Sequence, residues 1–169
     1  MERRSTVSAS LIRTVCLTGH REIPGPHALL LPRLIEQSLL ELSDESETTV
    51  FRAGGALGFD MLASFKVLEL REKHPRIQLH LYLPCQDQDR HWDAPSRRAY
   101  RYLLEHADLV RYVHHQYTNG CMLERDRCLV EGSDTCLAYC TKNHGGTFYT
   151  CSYALRSELA LINLADRLP

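Results

Sequence analysis

Three short stretches of this chain hold residue types suited to gripping a phosphorylated ligand: "LTGHRE" at 17–22, "AGGALGFD" at 53–60 and "NHGGTFYT" at 143–150. In the third, Gly145 and Gly146 let a loop close over a ligand. Thr147 then offers a hydroxyl to a phosphate or caps the helix that follows. A plain helix-entry turn is the other reading, although two glycines cost chain entropy without adding packing. In the second stretch Gly54 and Gly55 precede a helix whose free N–H groups suit an anion. Asp60 lies at the start of that helix, where it serves the helix as a cap or takes a ribose hydroxyl. In the first stretch Gly19 leads into His20 and Arg21. Arg21 forks onto a phosphate or carboxylate, or pairs at the surface with Glu22.

Two further stretches offer partial signals. "GCMLERDR" at 120–127 opens a helix, with Glu124 and Arg125 in its first turns. Arg125 either meets a phosphate there or joins Glu124, Asp126 and Arg127 in a solvated, internally paired face. Trp92, the one tryptophan, sits in the polar loop "LPCQDQDRHW", where it stacks on a base or covers the edge of the core. Cys85 in that loop has no neighbour that would lower its pKa. The cysteine spacings do not match a structural zinc site, and His114 and His115, adjacent on a strand, would point to opposite faces. No metal and no cofactor are expected.

These residues need a frame. Apolar runs at 13–18, 48–53, 77–83, 108–113, 134–140 and 159–164 read as strands, the last of which could instead prolong a helix. Helical patterns fall between them: 31–42 with Pro32 in the first turn, a second marked by Leu62, Phe65, Leu68 and Leu70, then 96–107, 120–131 and 147–157. Regular strand–helix alternation predicts an α/β domain, a three-layer α/β/α sandwich with a mainly parallel sheet of five to six strands. Ligands of such sheets sit beyond the carboxyl ends of the strands, and Gly19, Gly54-Gly55 and Gly145-Gly146 all follow strand ends. Residues 1–12 read as a flexible tail and 13–169 as a single domain.

Composition narrows the partners. Twenty basic residues against 21 acidic ones give no positive field, which argues against nucleic acid. An odd count of seven cysteines, with no signal-like start and no run of about 18 apolar residues, predicts a reduced, cytoplasmic protein without a membrane segment.

Taken in order, "CLTGHRE", "GGALGFDMLA", "LPCQDQDRHW", "YTNGCMLERDRCLVEGSD" and "GGTFYTCSYA…INLA" resemble the YpsA-like branch of the SLOG superfamily over roughly 14–165. SLOG proteins are similar to the lonely-guy phosphoribohydrolases and to the Rossmann-like core of DprA. The resemblance implies a Rossmann-like fold and a pocket for a nucleotide or nucleotide-derived small molecule. By motif, that pocket would use Gly19, Arg21, Gly54, Gly55, Asp60, Arg125 and Gly145 to Thr147. The branch usually has arginine-asparagine where this chain has Arg125-Asp126, and the added carboxylate would repel a phosphate.

Lonely-guy enzymes release base and ribose 5-phosphate from a nucleoside monophosphate, with a signature resembling MxERK and, later, PGGxGTxxE. Met122, Glu124 and Arg125 fit the first half. Aligning Gly146-Thr147 on the second half puts Thr150 where the catalytic glutamate belongs. Threonine brings no negative charge to an oxocarbenium-like transition state. Glu158 lies two helical turns further on, and Asp60 or Asp126 would require a different mechanism. The expectation is therefore a binding module acting as sensor or adaptor. One alternative is a phosphoribohydrolase using Arg125, and another is DprA-like binding of single-stranded DNA. Lonely-guy relatives dimerise, so a homodimer stays open, and the sequence names no protein partner.

Overall fold

Six apolar runs pair into one sheet in a computed structural model that describes residues 11–169. The elements are β1 (Ile12–Gly19), α1 (Gly25–Leu42), β2 (Thr48–Ala53), α2 (Phe59–Arg71), β3 (Ile77–Leu83) and α3 (Ala94–His106). They continue with β4 (Leu109–Tyr112), α4 (Cys121–Val130), β5 (Thr135–Tyr139), α5 (Gly145–Arg156), β6 (Ala160–Asn163) and a 3-10 turn at Leu164–Arg167. The strand order is β4-β3-β2-β1-β5-β6 and every pairing is parallel. This is the expected Rossmann-like α/β sandwich. Of the expected N-terminal tail, residues 1–10 lie outside the described part.

Strand periodicity sorts the core into two layers. Val15 and Leu17 of β1, Leu79, Leu81 and Leu83 of β3, and Leu137 and Tyr139 of β5 pack with Leu31, Ile35, Leu39, Phe59, Val67 and Leu103 of α1–α3. The intervening residues Cys16, Tyr82, Cys136 and Ala138 point the other way, onto Leu129, Val130, Cys151 and Ala154 of α4 and α5. Successive side chains of a strand face opposite sides, so a sheet covered on both faces is apolar at nearly every position. Cysteine and alanine on the α4–α5 side allow those helices close approach. All seven thiols are free.

Several boundaries differ from the sequence reading. Helix α1 starts at Gly25, with Pro26 in its first turn, and runs through Pro32 in its interior rather than beginning there. A mid-helix proline costs about 3 kcal/mol. Burial of Leu31, Ile35 and Leu39 on either side of it recovers that cost through apolar contact. β4 ends at Tyr112, so His114 and His115 follow the strand instead of lying on it. Residues 160–163 do form the last strand. No described helix is long and apolar enough to cross a membrane.

Candidate functional site

Strand order reverses between β1 and β5. From β1 the chain passes outward through β2 to β4, and it then returns to lay β5 on the other side of β1. At such a switch point the two strand-to-helix turns diverge and leave a crevice beyond the carboxyl ends. A cleft of ≈ 340 Å³ opens there, lined from the end of β1 and the turn after it by Thr18 to Arg21, from α2 by Asp60, from α4 by Met122, Arg125 and Asp126, and from the β5–α5 turn and the start of α5 by Lys142 and His144 to Thr147.

The floor is a buried ion cluster. Arg125 is 6% exposed and Asp126 8%, and Arg125 Nε donates to Asp126 Oδ1 at 2.7 Å. Arg125 Nη1 donates to the Gly54 carbonyl at 2.5 Å. A Cβ at Gly54 would run into that guanidinium, so this close approach requires glycine. Asp60, 5% exposed, accepts from the Gly54 N–H at 3.2 Å. Burial pushes the Asp60 carboxyl up to about 6, with Arg125 opposing and Asp126 adding to the rise. Burial likewise raises Asp126, against the pull of Arg125. The arginine is thus consumed inside the protein by a carboxylate and a carbonyl.

The mouth is different. Arg21, Lys142 and His144 are exposed, and among the described residues neither Arg21 nor Lys142 forms an ion pair. Helix α5 begins beside them at Gly145, whose φ of +88° is open to glycine at little cost. His144 precedes it without a side-chain cap. The first N–H groups of a helix have no intrahelical partner, so those of Gly145, Gly146 and Thr147 face the cleft with the positive end of the helix dipole.

His20 ties the turns together. Its carbonyl accepts from the Phe59 N–H at 3.1 Å and its N–H reaches the Tyr139 carbonyl at 3.3 Å. Its Nε2 accepts from the Thr141 N–H at 2.9 Å, which requires a neutral ring with the proton on Nδ1. Partial burial, then Lys142 and His144, push its pKa down, so the ring stays in that form at neutral pH.

Among the residues singled out from sequence, Gly19, His20, Arg21, Asp60, Arg125, Gly145, Gly146 and Thr147 converge on the cleft. Gly54 lies behind it, holding Arg125, and Gly55 abuts Leu83, Gln88 and Tyr100. Trp92 packs edge-on to Tyr100 at 5.2 Å against the core. Glu124 meets His114 Nε2 at 2.6 Å; neither Trp92 nor Glu124 lines the cleft. Two capping expectations are corrected. Thr147 is the third residue of α5 and does not cap it. Asp60 lies inside α2, which has no side-chain cap, and its carboxylate serves the end of β2 instead. Lys142 and His144 escaped the sequence reading, although "TKNHGG" sets two basic residues just before the glycine turn.

The family model YpsA, described as the YspA SLOG family, matches residues 19–160. The UPF0398 protein BH1768 of Halalkalibacterium halodurans is 30% identical over 119 residues, covering 69% of this chain and 62% of that protein. The SPbeta prophage-derived protein YoqJ of Bacillus subtilis is 27% identical over 147 residues, covering 80% of this chain and 86% of its own. Among solved structures, DNA processing protein A from Helicobacter pylori, which binds single-stranded DNA, superposes with a TM-score of 0.64 at 18% identity. That match covers 88% of this chain and 63% of the other. TM1055 superposes at 0.57 with 14% identity, over 92% and 79%. The chain therefore spans a little over three fifths of the length of BH1768 and of the H. pylori protein, and at these identities the structural matches speak to fold alone.

Proposed function

We propose that the cleft of this chain, which belongs to the YpsA family of SLOG proteins, binds a nucleotide or nucleotide-derived ligand as a sensor or adaptor, without turning it over. One observation carries the reading: a helix N-terminus without a side-chain cap opens onto the cleft beside Arg21 and Lys142, which form no ion pair among the described residues. That is the arrangement a phosphate needs, with N–H groups to accept hydrogen bonds from and mobile charge to neutralise it. Asp60 and Asp126 on the floor offer carboxylate oxygens to sugar hydroxyls. A volume of ≈ 340 Å³ lies within the ~300–1,000 Å³ typical of small-molecule sites.

Absence of turnover rests on Thr150. Its side chain is 1% exposed and its hydroxyl donates back to the Gly146 carbonyl at 2.9 Å. Where a carboxylate from α5 could face a glycosidic carbon, this chain has a hydroxyl folded into its own helix. We place this binding in the cytoplasm, where the seven free thiols would stay reduced.

The test is calorimetric titration with AMP, adenosine, ADP-ribose, NAD, a cyclic dinucleotide and a single-stranded oligonucleotide, followed by chromatography of the AMP sample. Saturable binding of AMP or a larger phosphorylated nucleoside, with adenosine much weaker and no adenine formed, is the expected result. Adenine accumulating in proportion to protein would transfer the site to the phosphoribohydrolase reading. Tight, salt-dependent binding of the oligonucleotide alone would transfer it to the DNA reading, which the superposition on a DNA-binding protein keeps in the panel.

A further inference from the structure

The buried floor of the cleft holds two acids and one guanidinium. Arg125 Nε engages Asp126 through Oδ1, while Asp60 serves the Gly54 N–H. Asp126 Oδ2 is left over. Among the described residues it receives no hydrogen bond, and the neighbouring Thr150 hydroxyl is spent on the Gly146 carbonyl. Oδ2 lies 3.8 Å from the point that a Cβ on Gly146 would occupy, beside the first turn of α5, and Asp126 lines the cleft. A carboxylate oxygen with nothing bound to it therefore stands next to the helix N-terminus that, on the reading above, receives a phosphate.

Charge decides which kind of phosphate can share that space. Arg21 and Lys142 bring two positive charges to the mouth. His20 brings none, since accepting from the Thr141 N–H requires a neutral ring. On the floor Arg125 cancels only one of its two acids. The other remains, because Asp60, with a pKa of about 6, is ionised in mildly alkaline solution. Set against the two mouth cations, this floor leaves the cleft close to one positive charge, and Asp126 offsets the positive end of α5. A ligand's attraction to such a site grows in proportion to its charge, whereas its cost of leaving water grows with the square. A phosphodiester carries one negative charge and matches the site. A phosphomonoester carries nearly two at pH 8, its second pKa being about 6, and the additional charge meets Asp126 with no further cation to answer it.

We propose that Asp126 makes the cleft selective for nucleotides whose phosphate is a diester, bearing one charge, over nucleoside monophosphates with a free terminal phosphate. The inference rests on the nucleotide reading of the cleft and narrows it.

The experiment titrates the full chain at pH 8 by calorimetry with AMP and with adenosine 5′-(methyl phosphate), which differ by one charge, and with adenosine as the uncharged control. The native protein should bind the methyl ester about tenfold more tightly than AMP, on the scale of one like-charge contact in a half-open cleft. Asp126→Asn keeps an oxygen for Arg125 Nε and loses the charge, so it should tighten AMP more than the ester and close most of that gap. A second measurement needs no variant. At pH 5.5 AMP carries one charge, so the preference should shrink in the native protein, where any protonation of Asp60, His20 or His144 acts on both ligands alike. AMP binding the native protein at pH 8 as tightly as the ester would overturn the proposal, as would a preference unchanged both in Asp126→Asn and at pH 5.5. Both esters binding no better than adenosine would instead remove the phosphate from the cleft, and the nucleotide reading would fall together with the selectivity.

Discussion

The guanidinium of Arg125, in α4, donates to the carbonyl oxygen of Gly54, 71 residues earlier at the end of β2. The same arginine holds Asp126 and lies beside Asp60. The β2–α2 connection and α4 thereby meet on one buried positive charge, which organises the cleft floor.

Arg125→Ala should therefore act first on stability. Removing it leaves two carboxylates buried without their counter-charge, a change that costs about 3–5 kcal/mol. Urea denaturation measures this directly. A loss under about 1 kcal/mol would mean the cluster is far better hydrated than its burial indicates.

Gly54→Ala should destabilise the fold by about 1–3 kcal/mol, as overpacking does, because the added methyl meets the Arg125 guanidinium. The double variant with Arg125→Met relieves the collision, so the two effects should be clearly non-additive. Simple additivity in thermal melts would refute this contact.

Arg21→Ala and Lys142→Ala should each weaken AMP binding by about tenfold, the scale of one charged hydrogen bond, with no change in melting temperature because both side chains are exposed. Titration calorimetry decides the point. Unchanged affinity in both variants would remove the phosphate from the mouth of the cleft.

The pH dependence of stability should carry two opposed contributions. Asp60 has a folded pKa of about 6, above the ordinary carboxylate value of 3.8. The folded state therefore holds its proton more tightly, and this group's contribution grows as pH falls from 6 toward 4 and is lost as pH rises through 6. Asp60→Asn should flatten that slope and stabilise the protein at pH 7–8. If the variant is instead less stable at pH 8, the attraction to Arg125 outweighs burial.

His20 runs the other way. Its pKa is depressed below 6.5, so its contribution is present above pH 6.5 and lost as pH falls through the folded pKa. Protonated Nε2 can no longer accept from Thr141. The protection factor of the Thr141 amide should fall in acid in the native protein and be low at all pH values in His20→Ala. Equal protection at pH 5 and 7.5 would show that the bond does not hold the turn.

Much of the frame was legible from sequence. Alternating patterns such as "IQLHLYL" report burial on a strand, and β3 formed as read. Gly19, Gly145 and Gly146 stand at or just after strand ends as read and line the cleft at the carboxyl edge of the sheet. The ends of elements were less legible. Pro32 read as a helix start, yet α1 runs through it, since local propensity yields to the burial of Leu31, Ile35 and Leu39. Thr147 read as a cap, yet two glycines ahead of it were already helical.

By itself the sequence determined the succession of strands and helices, the three glycine turns and the family motifs, because periodicity and turn chemistry are local properties. Tertiary structure alone decided which charges are spent and which are free. "MLERDR" and "TKNH" look equally able to hold a phosphate. Only the strand order that sets β5 beside β1, and the long-range approach of Gly54 to Arg125, bury one arginine between acids and leave Arg21 and Lys142 open. The energy of a charge is set by its neighbours in space and by its distance from water, and neither is written in its neighbours along the chain.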